Sequence, residues 1–366
     1  MKTILGSRLR RAREELGLSQ ADLARKIKIS NEHIWHLEHG KRSPSLDVLT
    51  RLAEFFKKDI GYFIKEKEAS FQLLFQEKTL DKKTKSYLRK FKKHCQDYLL
   101  LEKLTGNRLP NAPLYHTPDP EKMAIEERQR LGLGNHPLRN VFFLLEQQNF
   151  HLIRQCLGTE SQITGIFIYL NDEDEAFALI NASLSEEKQT LAAVHLYGHF
   201  LKDRLGGPII DNPDVFIDEY LELYHPREKF SQIFTSRFLL PRTFLKDLIS
   251  SFSKKSFLDL EVILYLKRIT GVEQQVLLSA LQEMEVLTST HGKDLNKLDL
   301  NKEAEKFFSI PERTGHPKLR KGQIIISDRF YFLACGAFRK KKITLEETAQ
   351  LTGVEKNKIS SFFRKK

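Results

Sequence analysis

Four prolines fall between positions 110 and 120, in the runs Asn107-Arg108-Leu109-Pro110-Asn111-Ala112-Pro113 and Thr117-Pro118-Asp119-Pro120. Each lacks a backbone donor and drives the residue before it out of the helical region, so no regular element can pass through this stretch. The chain must divide there. With 366 residues it is too long for one ordinary domain and suits two or three, each burying a core of its own.

Upstream of the break, residues 4–64 read as a bundle of five short helices. Leu9, Ala12, Leu16 and Leu18 line the first, and Ser19-Gln20-Ala21-Asp22 opens a second that carries Leu23, Ala24 and Ile27. Ser30 caps a third helix, from Asn31 to His39, which Gly40 stops, and Ser45 caps a fourth. Two helices joined by a tight turn, the second with a polar outer face, form the arrangement that offers side chains to the DNA major groove.

The string Leu18-Ser19-Gln20-Ala21-Asp22-Leu23-Ala24, with Ile29-Ser30, Ile34, Leu37-Glu38-His39-Gly40-Lys41 and Pro44-Ser45-Leu46, resembles the XRE/Cro-type helix-turn-helix repressor domain over residues 1–66. That resemblance implies that Gln20 meets the phosphate backbone and that Asn31, Glu32, Trp35 and His36 face base edges. Asn pairs with adenine and Glu accepts from cytosine, so the residue types suit those roles. It also implies a buried, structural pair between Arg13 and Glu38. Trp35 departs from the small residue usual at its position, as a reader of bases or as a packing residue.

Residues 67–117 form a basic amphipathic helix followed by the Pro-rich linker. Lys82, Lys83, Lys85, Arg89, Lys90, Lys92 and Lys93 crowd one stretch, while Leu88, Phe91, Cys95 and Tyr98 recur at helical spacing. The charges read as a solvated face, with phosphate contact as the alternative, and the apolar stripe as a seam for the homodimer that a palindromic operator requires.

Beyond the break, Phe150 onward, Gly165 to Leu170 and Ala176 to Asn181 read as strands, and Ser185-Glu186-Glu187 starts a helix running to about Leu201. This helix carries Val194-His195-Leu196-Tyr197-Gly198-His199, whose histidines, four residues apart, share one face and can hold a metal. A His-Glu-x-x-His zinc peptidase would have its general-base glutamate directly after the first histidine, where this chain has Leu196.

The strand Phe177-Ala178-Leu179-Ile180-Asn181, the His195/His199 pair, and Glu228-Lys229-Phe230-Ser231-Gln232-Ile233-Phe234 leading to Phe238-Leu239-Leu240-Pro241 resemble the ImmA/IrrE type of metallopeptidase. The resemblance spans residues 118–300 and implies zinc held by His195, His199 and Glu228, in a fold often fused behind an XRE domain. Glu228 also suits a helix start on dipole grounds, and His225 is an alternative ligand. No catalytic residue is assigned: leucine neither accepts nor donates a proton, a service worth about 10²–10⁴-fold, and nothing in the sequence brings Glu219 or Glu222 to the metal as a substitute. Peptidase activity is therefore not expected.

Residues 301–366 read as a basic helical region with a capping-box spacing at Thr344/Glu347, resembling a second helix-turn-helix but read here as packing onto the peptidase-like domain. The expected fold is mainly α with a small β-sheet: a five-helix head, an α+β zincin-like body and a helical C-terminal region. A net charge of +12 and a pI near 9.4 favour a polyanionic partner. Three scattered cysteines form no Cys-x-x-Cys pair, and no apolar run reaches membrane-spanning length; a cytoplasmic protein is expected. The combined reading is a transcriptional regulator that binds a double-stranded operator as a homodimer, its peptidase-like domain a sensor or an interaction module for a repressor or other regulatory protein. The alternative is an active zinc metalloprotease that cleaves a repressor and so switches on stress or mobile-element genes.

Overall fold

The structure, a computed structural model, describes residues 2–56, 58, 63, 82–138, 141–171, 173–212, 226–252, 258–309 and 319–364. It is mainly helical with one small sheet, and it divides into two compact units, residues 1–69 and 70–366.

In the first unit, α1 (Lys2–Glu15), α2 (Gln20–Ile27), α3 (Asn31–Glu38) and α4 (Leu46–Phe56) enclose Leu9, Leu23, Ile34, Leu37 and Leu52. Ser19 caps α2 reciprocally: its Oγ accepts from Asp22 N at 3.1 Å while Asp22 Oδ2 accepts from Ser19 N at 3.2 Å. Lys28 then takes a left-handed φ of 55°, and the chain turns within two residues to Ser30, whose Oγ accepts from His33 N at 3.1 Å to start α3. Capping chemistry thus sets the tight α2–α3 turn. The expected fifth helix lies almost wholly outside the described residues.

The second unit is built on a five-stranded sheet of order β4-β2-β3-β1-β5, from β1 (Phe150–Gln155), β2 (Gly165–Leu170), β3 (Glu175–Asn181), β4 (Ile209–Asp211) and β5 (Ile324–Ile325). β1 runs parallel to β3, and the other pairings are antiparallel. Alternate residues supply two cores. Phe150, Leu152, Phe167, Ala178 and Ile180 face α8 (Glu186–Asp203), while Ile153, Ile166, Ile168, Phe177 and Leu179 face α5 (Lys82–Thr105) and α15 (Asp328–Arg339). Burial on both faces is why these strands read as continuous apolar runs.

The stripe of α5 read as a dimer seam is therefore occupied within the chain: Leu88, Phe91, Cys95, Tyr98 and Leu101 all lie in the second core. The basic residues Lys82, Lys83, Arg89, Lys90 and Lys93 face solvent. The C-terminal region is knit into the same unit. β5 pairs with the edge of β1, α15 packs on α5, and α16 (Leu345–Thr352) and α17 (Lys356–Arg364) stack outward from α15. Thr344 and Glu347 form the expected capping box at the start of α16.

On the other face, α6 (Pro120–Arg130) and α9 (Pro226–Leu239) pack with each other, α9 lies across α8, and α7 (Val141–Glu146) leads into β1. Helices α10 (Arg242–Phe252), α11 (Leu260–Thr270), α12 (Gln274–Glu283), α13 (Ser289–Asn296) and α14 (Leu300–Phe308) extend that core. All three cysteines, Cys95, Cys156 and Cys335, are free thiols.

Candidate metal centre and DNA-contact helix

Ser185 starts α8 by accepting from Lys188 N through its Oγ, and the helix runs fully buried through both histidines. Gly198 decides how closely α9 can approach. A Cβ there would stand 2.4 Å from Ser231 Oγ and 2.9 Å from Phe234 Cδ1, so only glycine admits α9 at this distance. Ser231 Oγ donates to His195 O at 2.6 Å and fixes the crossing. Three residues earlier on α9, Glu228 then reaches the histidines.

The three expected ligands meet. His195 Nε2 and His199 Nε2 are 3.1 Å apart, and Glu228 Oε2 is 3.3 Å from each. Ligand atoms about 2.05 Å from a tetrahedral zinc are separated by about 3.3 Å, so this triangle is close to three corners of such a site. A zinc held there would supply Lewis acidity. The remaining ring nitrogens are backed by acids: His199 Nδ1 is bonded to Asp203 Oδ1 at 3.1 Å, and His195 Nδ1 lies 3.3 Å from Asp211 Oδ2. Carboxylates behind metal-binding imidazoles fix their orientation and raise their basicity.

The charges favour a cation at the centre. Although burial opposes it, Asp203 and Glu228 raise His199 to about 9, and the two histidines hold Glu228 well below the usual carboxylate range. Asp203 is lowered by His199 and Arg227 against its own burial, whereas burial raises Asp211. Asp203 and Asp211 were missed in the sequence. Asp203 had a signal, four residues after His199 on the same helix face, but Asp211 ends a three-residue strand with no periodicity to mark it. Leu196, at the position of the peptidase base, is fully buried and points to the sheet, its Cδ1 2.9 Å from where a Cβ of Gly165 would lie. Glu219, Glu222 and His225 lie outside the described residues.

In the first unit, Arg13 and Glu38 form the bidentate pair implied by the resemblance, Nε to Oε1 at 2.6 Å and Nη2 to Oε2 at 3.0 Å. Gln20 Nε2 donates to Glu38 Oε2 at 2.8 Å, so its side chain braces the buried acid. Burial alone would raise Glu38; Arg13 and Gln20 lower it instead. Asn31 and Glu32 are exposed on α3, and His36 Nε2 is 3.5 Å from Glu32 Oε1. Trp35 packs locally, stacked on His39 with ring centroids 4.2 Å apart and with Lys41 Nζ 4.6 Å from its ring centre.

Residues 9–63 match the helix-turn-helix family. The chain is 37% identical over 81 residues to the HTH-type transcriptional regulator RamB of Mycobacterium tuberculosis (strain ATCC 25618 / H37Rv), a stretch covering 22% of this chain and 17% of that protein. It is 37% identical over 68 residues to the HTH-type transcriptional regulator PrpR of the same strain, 19% of this chain and 14% of that one. It is 32% identical over 66 residues to the HTH-type transcriptional regulator ImmR of Bacillus subtilis (strain 168), 18% of this chain and 52% of that one. The similarity thus spans about a sixth of the length of the first two relatives and about half of the third.

Proposed function

We propose that this chain is a sequence-specific DNA-binding transcriptional regulator whose second unit is an ImmA/IrrE-like metal-binding module without peptidase activity, acting as a sensor or interaction body. The helix-turn-helix match over residues 9–63, with relatives named as transcriptional regulators, carries the DNA-binding part. Exposed Asn31 and Glu32 on α3, with half-buried Trp35 and His36 beside them, support these four as the reading residues. Gln20, turned to Glu38, serves α3 by positioning it as much as by any phosphate contact. The regulator works in the cytoplasm as a homodimer, because a palindromic operator is matched by a two-fold protein.

For the second unit, the reading rests on His195, His199 and Glu228 at zinc-ligand spacing beside a base position filled by buried Leu196. His195, His199 and Glu228 hold the ion, Asp203 and Asp211 orient the imidazoles, and no described side chain at the centre is placed to move a proton for hydrolysis. Selection of operator sequences from a random pool by the full chain tests the first part. Enrichment of one motif, lost when Asn31, Glu32 and His36 are replaced by alanine, is expected; unchanged preference in that variant would sink it. Zinc content near one ion per chain, lost in His195→Ala, tests the second, and a change in operator affinity after chelation marks a sensor.

The intact ligand triangle favours one second reading, an active zinc metalloprotease directed at a repressor protein. It requires cleavage of that repressor by the zinc-loaded chain, abolished in His195→Ala.

A further inference from the structure

A cavity of about 170 Å³ lies between α8, α9 and α12, walled by Leu191, Ile233 and Val276. An apolar cavity of about 150 Å³ can take a molecule the size of benzene, so this one, which is open on one side, has room for a small ring. It stands one helical turn from the metal centre, since Leu191 precedes His195 by four residues on α8 and Gln232 follows Glu228 by four on α9.

Its polar lining is unevenly satisfied. Thr235 Oγ1 donates to Ser231 O at 2.7 Å, and Ser236 Oγ accepts from Arg242 Nη2 at 2.9 Å. Gln232 is different. It lines the cavity and is only 8% exposed, yet among the described residues neither its Nε2 nor its Oε1 has a hydrogen-bond partner. Leaving both ends of a buried amide unmatched is unfavourable, so the pair reads as a receptor for a complementary edge.

The charges narrow the choice. Arg237 and Arg242 are neutralised by Glu283 and Glu121, with Arg237 Nη1 2.7 Å from Glu283 Oε2, Arg242 Nη2 2.9 Å from the same oxygen, and Arg237 Nε 3.1 Å from Glu121 Oε2. Lys229 is exposed. A carboxylate would satisfy Nε2 and leave Oε1 facing negative charge, whereas an amide presents an acceptor and a donor together.

We propose that this cavity is a binding site for a small neutral molecule with an apolar body and one amide edge, such as a lactam, paired through two hydrogen bonds with the side chain of Gln232. The site goes beyond the metal reading and does not depend on it.

The probes are δ-valerolactam, whose cis amide presents N–H and C=O on one side, and cyclohexanone, of similar shape without the N–H. Titration of the full chain followed by calorimetry or NMR is expected to give saturable lactam binding with a dissociation constant on the order of 1 mM, and ketone binding about tenfold weaker. Gln232→Leu is expected to weaken lactam binding about tenfold and leave ketone binding unchanged, with a melting temperature at or above that of the unaltered chain, because two unmatched polar atoms are gone. Non-saturating lactam signals, equal binding of lactam and ketone, or lactam binding unaffected in Gln232→Leu would each overturn the proposal. The comparison of the two probes on the unaltered chain holds even if that variant fails to fold.

Discussion

Replacing Gly198 by alanine sets two effects of opposite sign against each other. In a helix interior the change is favourable by about 1 kcal/mol, because alanine gives up less backbone freedom than glycine. Against this, the new methyl would sit 2.4 Å from Ser231 Oγ and 2.9 Å from Phe234 Cδ1. The serine hydroxyl can swing aside only by giving up its 2.6 Å bond to His195 O, worth about 1 kcal/mol. The Phe234 ring is fully buried and has nowhere to go, so α9 itself must retreat by roughly 0.5 Å to restore ordinary contact. Overpacking of this kind costs about 1–3 kcal/mol; the helix gain offsets the lost hydrogen bond, so Gly198→Ala is destabilising by about 1–3 kcal/mol. A fall in melting temperature of about 2–12 °C is expected for the second unit. Because Glu228 rides on the displaced helix and ligand positions tolerate only about 0.2 Å, zinc affinity should drop at least about tenfold. Urea denaturation and zinc titration of the variant beside Gly198→Ala/Phe234→Leu measure both effects, the second change being expected to return part of each loss. A Gly198→Ala chain as stable as the original, with the same zinc affinity, would refute the close-approach argument.

Arg13→Ala leaves the Glu38 carboxylate buried without its main partner, and the first unit should lose about 3 kcal/mol or more in urea denaturation, while Arg13→Met combined with Glu38→Leu should lose far less. Burial holds His94 neutral down to about 4, against 6.5 for the free side chain. The unfolded chain therefore takes up a proton before the folded one does, so stability is intact above pH 6.5 and falls by on the order of 3 kcal/mol as the pH drops to about 4. His94→Leu should flatten that part of the pH profile, and an unchanged profile would discount His94. Leu196→Glu buries a carboxylate against β2 and should destabilise the second unit by several kcal/mol, whereas Leu196→Met should cost under about 1.5 kcal/mol. Equal melting temperatures for these two variants would mean that the site is open to water.

Local chemistry was legible in the sequence, and long-range placement was not. Ser19, Ser30 and Ser185 announced their helices because a cap acts within three residues, and β1, β2 and β3 showed as runs of apolar and β-branched residues. His195 and His199 followed from helical spacing, but Asp211 joins them only through the sheet, which no local pattern encodes. The stripe of α5 was visible while its use was not, since an apolar helix face looks the same whether it meets another chain or its own sheet. The two-residue β5 is too short for any alternation, and it pairs with β1 from about 170 positions away. Gln20 had the residue type and position of a DNA contact, and only the structure turns its amide to Glu38.

The burial of α5 against α15 also orders events in time. Phe91 and Phe330 share one core with β1, β2 and β3, so the helix that follows the head has the sheet but not α15 for apolar cover until nearly the whole chain has left the ribosome. At about 5–20 residues per second this is an interval of tens of seconds. The head, whose core among the described residues runs no further than Phe63, can fold throughout it. A chain cut short before α15 would thus leave the stripe of α5 and the outer face of the sheet only partly covered, exposed to chaperones and proteases in a way the finished protein is not.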